Sequence, residues 1–174
     1  NPYIVSQKAV FLDRDGVINK LNPKGYILNF NQFKILPGVG KAINFLNKRN
    51  YLVIVVTNQA CIGKSLITEK KINVIHEKMK KEIYVKNKGV INDILYSPYY
   101  KYSRIRKYRT NLIDRKPNPG MLLKAVKKWN LSIKDSFFVG DSISDYKAAK
   151  KIGLRFYYKD KEFFDKQIKK IIGR

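Results

Sequence analysis

Short, continuously apolar runs alternate along this chain with longer stretches in which apolar residues return every three or four positions. Lys8 to Asp13 (KAVFLD) reads as a buried strand ending in a carboxylate, and Tyr51 to Val56 (YLVIVV) as a strand covered on both faces. Ile91 to Tyr96, Ser136 to Val139 and Leu154 to Tyr158 predict a third, fourth and fifth strand. Between them, Val39, Ala42, Ile43 and Leu46 follow Pro37-Gly38 at helical spacing, and Ile72, Ile75, Met79 and Ile83 form one stripe behind Thr68, a residue suited to cap a helix. Gly120 to Asn130, Ser144 to Ile152 (closed by Gly153) and Lys161 to Ile172 predict three further helices. Gly16 to Leu36 suits a loop or small flap, and Tyr96 to Arg115 is the one long segment without periodicity. Buried strands alternating with helices predict an α/β domain with a central parallel sheet.

Length agrees with that picture. The chain has 174 residues, and domains run on the order of 150 residues, so one domain spanning 1–174 is expected. Apolar residues at 44% supply a core, and the longest strongly apolar run, Tyr51 to Thr57, is far too short to span a bilayer. No charged start followed by an apolar stretch and a small-residue cleavage site occurs, which predicts a cytoplasmic protein without a membrane partner. Cys61 is the single cysteine, so neither an internal disulfide nor a cysteine-based zinc cluster can form.

Charge changes the picture less than its size suggests. Lysine and arginine number 37 against 13 acidic residues, a formal charge of +24, which raises nucleic acid as a partner. The basic residues are spread along the whole chain, however, and runs such as Lys127-Lys128 and Lys150-Lys151 fall between apolar residues at helical spacing. That pattern describes the solvated faces of amphipathic helices. A small polyanionic substrate is the next reading, and nucleic acid the last.

Candidate chemistry gathers where strands end. In an open parallel sheet, ligands bind beyond the carboxyl ends of the strands. Strand one ends in Asp13-Arg14-Asp15-Gly16, strand two in Thr57-Asn58-Gln59, and strand four in Gly140-Asp141-Ser142, with Asp145 following; Arg115-Lys116-Pro117 precedes the helix before strand four. Taken singly, Asp13 and Asp15 could be loop caps, Thr57 could merely end a strand, and Asp141 could cap a helix. Together they predict a rim where carboxylates, a hydroxyl and cations meet. Crowded carboxylates need a cation or a proton between them, and hard oxygen ligands suit Mg²⁺. Asp13 could attack phosphorus, Asp15 could donate and then accept a proton, and Thr57, the Asn58 backbone and Lys116 could neutralise phosphoryl oxygens.

The segments F-L-D-R-D-G-V-I-N (11–19), V-V-T-N-Q-A (55–60), D-R-K-P-N-P-G-M-L (114–122) and V-G-D-S-x-S-D-x-x-A-A (139–149) resemble the haloacid dehalogenase-like phosphatases. D-R-D-G-V-I-N and T-N-Q favour the branch of heptose 1,7-bisphosphate phosphatases, with histidinol-phosphate phosphatases as neighbours. The resemblance implies a Rossmann-like three-layer fold with a minimal cap, and hydrolysis of a sugar bisphosphate through an aspartyl-phosphate. It implies Asp13 as nucleophile, Asp15 as acid/base, and Mg²⁺ on Asp13, the Asp15 backbone carbonyl and Asp141. Thr57 and Lys116 would steady the phosphoryl group. Arg14, Lys24, Gly25, Tyr26, Asn58, Gln59, Ala60 and Arg115 complete the expected substrate contacts.

Many relatives carry a zinc loop, C-x-H then C-x-C, directly before R-K-P. The matching places here are Ser97, Tyr99, Leu112 and Asp114, so no structural zinc is expected. The loop instead interleaves Tyr99, Tyr100, Tyr102 and Tyr108 with Lys101, Arg104, Arg106, Lys107 and Arg109. Aromatic packing in place of the metal is the leading reading, binding of a second phosphate the next, and an RNA-contacting surface the last. The partner expected is thus a small phosphorylated sugar, acted on by a monomer. A histidinol-phosphate phosphatase, a polynucleotide end-phosphatase and a nucleic-acid-binding module are the alternatives. Gly63-Lys64-Ser65 lacks the earlier glycine of a P-loop, Cys61 has no base beside it, and His76 reads as a surface or packing residue.

Overall fold

The computed structural model describes residues 5–173. Five strands form one sheet: β1 (Lys8–Leu12), β2 (Tyr51–Asn58), β3 (Asp93–Ser97), β4 (Phe137–Gly140) and β5 (Arg155–Tyr158), each a short apolar or aromatic run. All neighbours are parallel, in the order β3-β2-β1-β4-β5. Successive side chains of a strand face opposite ways, and the core divides accordingly. Val10, Leu12, Val53 and Val55 face one layer, with α1 (Val39–Lys48), α3 (Glu69–Asn87) and α6 (Phe164–Ile172). Ala9, Phe11, Ile54 and Val56 face the other, with α4 (Gly120–Trp129) and α5 (Ile143–Lys151). The parallel α/β sheet is the one that the apolar runs predict, and its three layers are those that the resemblance implies.

The chain leaves β1 towards β2 and β3, and leaves β4 towards β5, so the order reverses between β1 and β4. A crevice opens at such a switch point, beyond the strands' carboxyl ends. Asp13 follows β1 directly, and Asp141 follows β4. Two long connections overhang this edge. The segment 16–36 holds a three-residue turn of 3-10 helix (Phe30–Gln32) and isolated bridges, and the segment 98–119 holds two such turns (Arg106–Tyr108 and Leu112–Asp114).

Local signals account for most boundaries. The Thr68 hydroxyl accepts from the Lys71 amide to start α3, and Ser142 with Asp145 makes a capping box that starts α5. A short helix absent from the sequence reading, α2 (Ala60–Gly63), continues from β2; at four residues it is too short to show a period. No helix among the described residues is long and apolar enough to cross a membrane.

Candidate active site

Lys116 occupies the middle of the crevice. Its buried ammonium donates to Asp13 Oδ1 at 3.0 Å and to the Val56 carbonyl at 2.9 Å, and it lies 2.6 Å from Asp145 Oδ1. That last contact is a close ion pair between two buried groups. Asn58 holds the Lys116 backbone from both sides, its amide donating to the carbonyl at 3.0 Å while its Oδ1 accepts from the N–H at 3.1 Å. The Asn58 side chain thus fixes the lysine, while the phosphoryl contact expected of Asn58 is one of its backbone.

Three carboxylates converge there: one oxygen each of Asp13, Asp141 and Asp145 lie within 4.8 Å of one another. Burial, reinforced by the Asp145 charge against the attraction of Lys116, pushes the Asp13 carboxyl up to about 8. Burial and Asp145 also raise Asp141. One ammonium does not neutralise three carboxylates, so without a cation the cluster retains a proton. Hard oxygens around an under-compensated negative site fit a divalent cation such as Mg²⁺. Gly16 makes room for this arrangement. Its φ is +89°, and a Cβ built on it would meet Asp141 Oδ2 at 1.9 Å, so any larger residue would displace that carboxylate. Asp145 is absent from the expected ligands; its S-x-x-D spacing signals a helix cap, a role that it also fills, its Oδ2 accepting from the Asp141 and Ser142 amides.

Asp15 lies beside the cluster but contributes no side-chain oxygen to it. Its Oδ1 accepts from Arg14 Nη2 at 2.8 Å, Arg14 Nε at 3.1 Å and Asn19 Nδ2 at 2.9 Å, and its Oδ2 accepts from Gln59 Nε2 at 2.9 Å. Burial alone would raise this carboxyl, but the Arg14 charge and these hydrogen bonds hold it below the usual range. Gln59 Nε2 also donates to Thr57 Oγ1 at 2.9 Å, which leaves the Thr57 hydroxyl hydrogen free to donate elsewhere.

Arg14 and Gln59, expected among the substrate contacts, are both 0% exposed, their side chains turned inward onto Asp15. Lys24 and Gly25 stand exposed at the flap's tip, and Ala60 is buried in α2. Tyr26 is half-buried, and its hydroxyl accepts from Lys64 Nζ at 2.8 Å; that ammonium also lies over the rings of Tyr26 and Tyr100, each centroid at 5.1 Å. Lys64, set aside with the P-loop-like triplet, thus faces the flap. With Tyr100, Ser103 and Arg104 it lines a cavity of about 360 Å³; Arg115 and Lys116 line a neighbouring one of about 470 Å³ that shares Tyr100.

The Tyr-rich loop is tied down by hydrogen bonds as well as by aromatic packing, Tyr108 being buried in the core. Glu69, the first residue of α3, accepts from Tyr96 Oη at 2.9 Å and from Tyr108 Oη at 2.7 Å, one on each carboxylate oxygen. Burial and this carboxylate push both phenols up to about 12, so they remain donors at neutral pH.

A family model described as haloacid dehalogenase-like hydrolase matches residues 7–153. The chain belongs to this family. A D-glycero-beta-D-manno-heptose-1,7-bisphosphate 7-phosphatase from Rhodopseudomonas palustris is 35% identical over 163 residues, covering 92% of this chain and 89% of its own length. A D-glycero-alpha-D-manno-heptose-1,7-bisphosphate 7-phosphatase from Burkholderia mallei is 34% identical over 150 residues, covering 86% and 78%. Among solved structures, a D,D-heptose 1,7-bisphosphate phosphatase from B. bronchiseptica, complexed with magnesium and phosphate, superposes with a TM-score of 0.77 at 28% identity, over 87% of this chain and 80% of that one. These likenesses place this haloacid dehalogenase-like hydrolase among the phosphoric monoester hydrolases.

Proposed function

We propose that the chain removes the 7-phosphate of D-glycero-D-manno-heptose 1,7-bisphosphate, using Asp13 as nucleophile. The observation that carries this reading is the meeting of the Asp13, Asp141 and Asp145 carboxylates within 4.8 Å around the Lys116 ammonium, at the sheet's switch point. Relatives of both anomeric specificities match over most of the chain, so the reading covers either anomer.

In this reading Asp15, ionised in the free protein, first takes a proton from the bound phosphate monoanion. An Asp13 oxygen then forms a bond to phosphorus while the bond from phosphorus to the sugar oxygen breaks, and Asp15 gives that oxygen the proton. Asp15 then takes a proton from water, whose oxygen attacks the aspartyl-phosphate; inorganic phosphate leaves and Asp13 is restored. Lys116 and the Thr57 hydroxyl, free to donate because Gln59 occupies its lone pair, face the charge that builds on the phosphoryl oxygens. Asp13, Asp141 and the Asp15 backbone carbonyl, with Asp145 behind them, would hold Mg²⁺, which supplies charge neutralisation. Lys64 and Arg115, beside the two cavities, are positioned to meet the second phosphate, with Tyr26 aligning Lys64.

The test is phosphate release from heptose 1,7-bisphosphate, histidinol phosphate and a 5′-phosphorylated oligonucleotide, with Mg²⁺ or with EDTA. Fastest turnover of the heptose, abolished by Asp13→Asn, is expected. Preference for either other substrate would displace the sugar reading, and a fully active Asp13→Asn variant would remove the nucleophile.

A further inference from the structure

The chain's single histidine takes no part in the chemistry above, yet it is 3% exposed and touches the shell behind the acid/base carboxylate. We propose that His76 is a positioning residue for the hydrolysis: its imidazole accepts a hydrogen bond from Arg14 and so fixes the guanidinium that aims Asp15 at the reacting oxygen. The kinetic part of this proposal rests on the phosphatase reading.

The contact is Arg14 Nη1 to His76 Nε2, at 3.1 Å across 62 residues of sequence. A guanidinium only donates, so Nε2 must carry the lone pair and the ring proton must sit on Nδ1. Arg14, Asp15 and Tyr96 face the ring, Tyr96 with its centroid at 5.9 Å; burial, and then the Arg14 charge, push the imidazole down to about 3, so it stays neutral. The guanidinium is planar, and its opposite edge makes both contacts to Asp15 Oδ1. One edge on the carboxylate does not fix the plane. The second edge on His76, with the Phe33 ring at 5.6 Å from the guanidinium carbon, does. No exposed surface is available to Arg14, so losing His76 leaves a buried donor that must turn to find another acceptor, taking Asp15 with it. Misplacement of a catalytic group by about 1 Å costs on the order of 100-fold in rate.

Two measurements decide the matter. His76→Leu should lower kcat by about 10–100-fold with KM within about 2-fold, since Asp15 acts on the leaving oxygen and water rather than in binding. His76→Gln, whose Oε1 can accept from Nη1, should restore most of that kcat. A merely structural histidine would give equal losses for Leu and Gln, or a changed KM, and either result overturns the proposal, as does a Leu variant with full kcat. Separately, the imidazole nitrogen resonances of the wild-type protein belong to one residue. They should report an Nδ1-protonated ring that does not titrate between pH 5 and 8; a ring protonated on Nε2, or titrating near 6.5, overturns the proposal without any substrate. A wild-type protein that releases no phosphate overturns both readings, whereas an active enzyme indifferent to His76 overturns this one alone.

Discussion

Lys116 and Asp145 form a buried ion pair, ammonium to Oδ1 at 2.6 Å, that joins the loop before α4 to the first turn of α5. The same ammonium binds Asp13 at 3.0 Å, so one cation tethers the connections that follow β1 and β4 as well as offsetting two of three crowded carboxylates.

Lys116→Met should therefore cost the fold as well as the chemistry. Truncating one partner of a buried pair leaves an uncompensated charge, a penalty of about 3–5 kcal/mol. Urea unfolding in EDTA should show a loss of that order, and phosphate release should fall to background. A variant as stable as the wild type would mean that the lysine does not balance the cluster.

Mg²⁺ should raise the melting temperature by mass action. At 100 times its Kd a ligand stabilises by about 2.7 kcal/mol, worth on the order of 5–10 °C for a chain of this length. Asp141→Asn should shrink that shift and at the same time raise the metal-free melting temperature, because burial and Asp145 already disfavour the Asp141 charge. Thermal melts with and without the ion decide it. An undiminished Mg²⁺ shift in the variant would remove Asp141 from the cation site.

Much of this site was legible in the sequence because its framework is local. Asp13, Thr57 and Asp141 stand where apolar strands stop, and parallel topology alone brings strand ends together. Less legible were contacts whose partners lie far apart in sequence and share no periodicity. His76 sits beside an ordinary apolar stripe, and nothing local shows that Arg14 turns inward to meet it. Asp145 carries a helix-capping spacing that conceals its second role beside Lys116. Glu69 reads as a first-turn acid of α3, although it accepts from tyrosines 27 and 39 residues away.

The depressed titration of His76 predicts a stability that declines in acid. Unfolded, the imidazole titrates near its usual 6.5; folded, at about 3. Between those values the unfolded chain holds a proton that the native protein does not, so this contribution is fully present above pH 6.5 and is lost as pH falls towards 3. The slope approaches about 1.4 kcal/mol per pH unit. Asp13 works in the opposite sense between 3.8 and about 8, where its native carboxyl holds the extra proton. Comparing the wild type with His76→Gln removes that shared term. The stability difference between them should change with pH in the variant's favour from pH 6.5 to 4. A difference independent of pH would show that the buried ring is charged.

Glu69 carries the last prediction, because one carboxylate anchors both Tyr96 and Tyr108 and with them the basic loop over the crevice. Each phenol donates to a charged acceptor, a class of bond worth about 1.5–3 kcal/mol when buried and less where water reaches it. Tyr108 is buried and Tyr96 only half-buried, so Tyr108→Phe should cost the larger share. Glu69→Ala removes both bonds at once and should free the segment between Pro98 and Arg115 without unfolding the sheet, since the carboxylate touches no core strand except through Tyr96. Lys101, Arg104, Arg106, Lys107 and Arg109 make that segment a ready trypsin substrate once it opens. Timed digestion should show early cleavage within it in Glu69→Ala, intermediate cleavage in Tyr108→Phe and slow cleavage in the wild type. KM should be highest in Glu69→Ala, intermediate in Tyr108→Phe and lowest in the wild type, because the loop carries Tyr100 and Arg104 of the cavity beside Lys64. Equal digestion rates in all three proteins would leave the loop held by its aromatic packing, and the carboxylate clamp would be incidental.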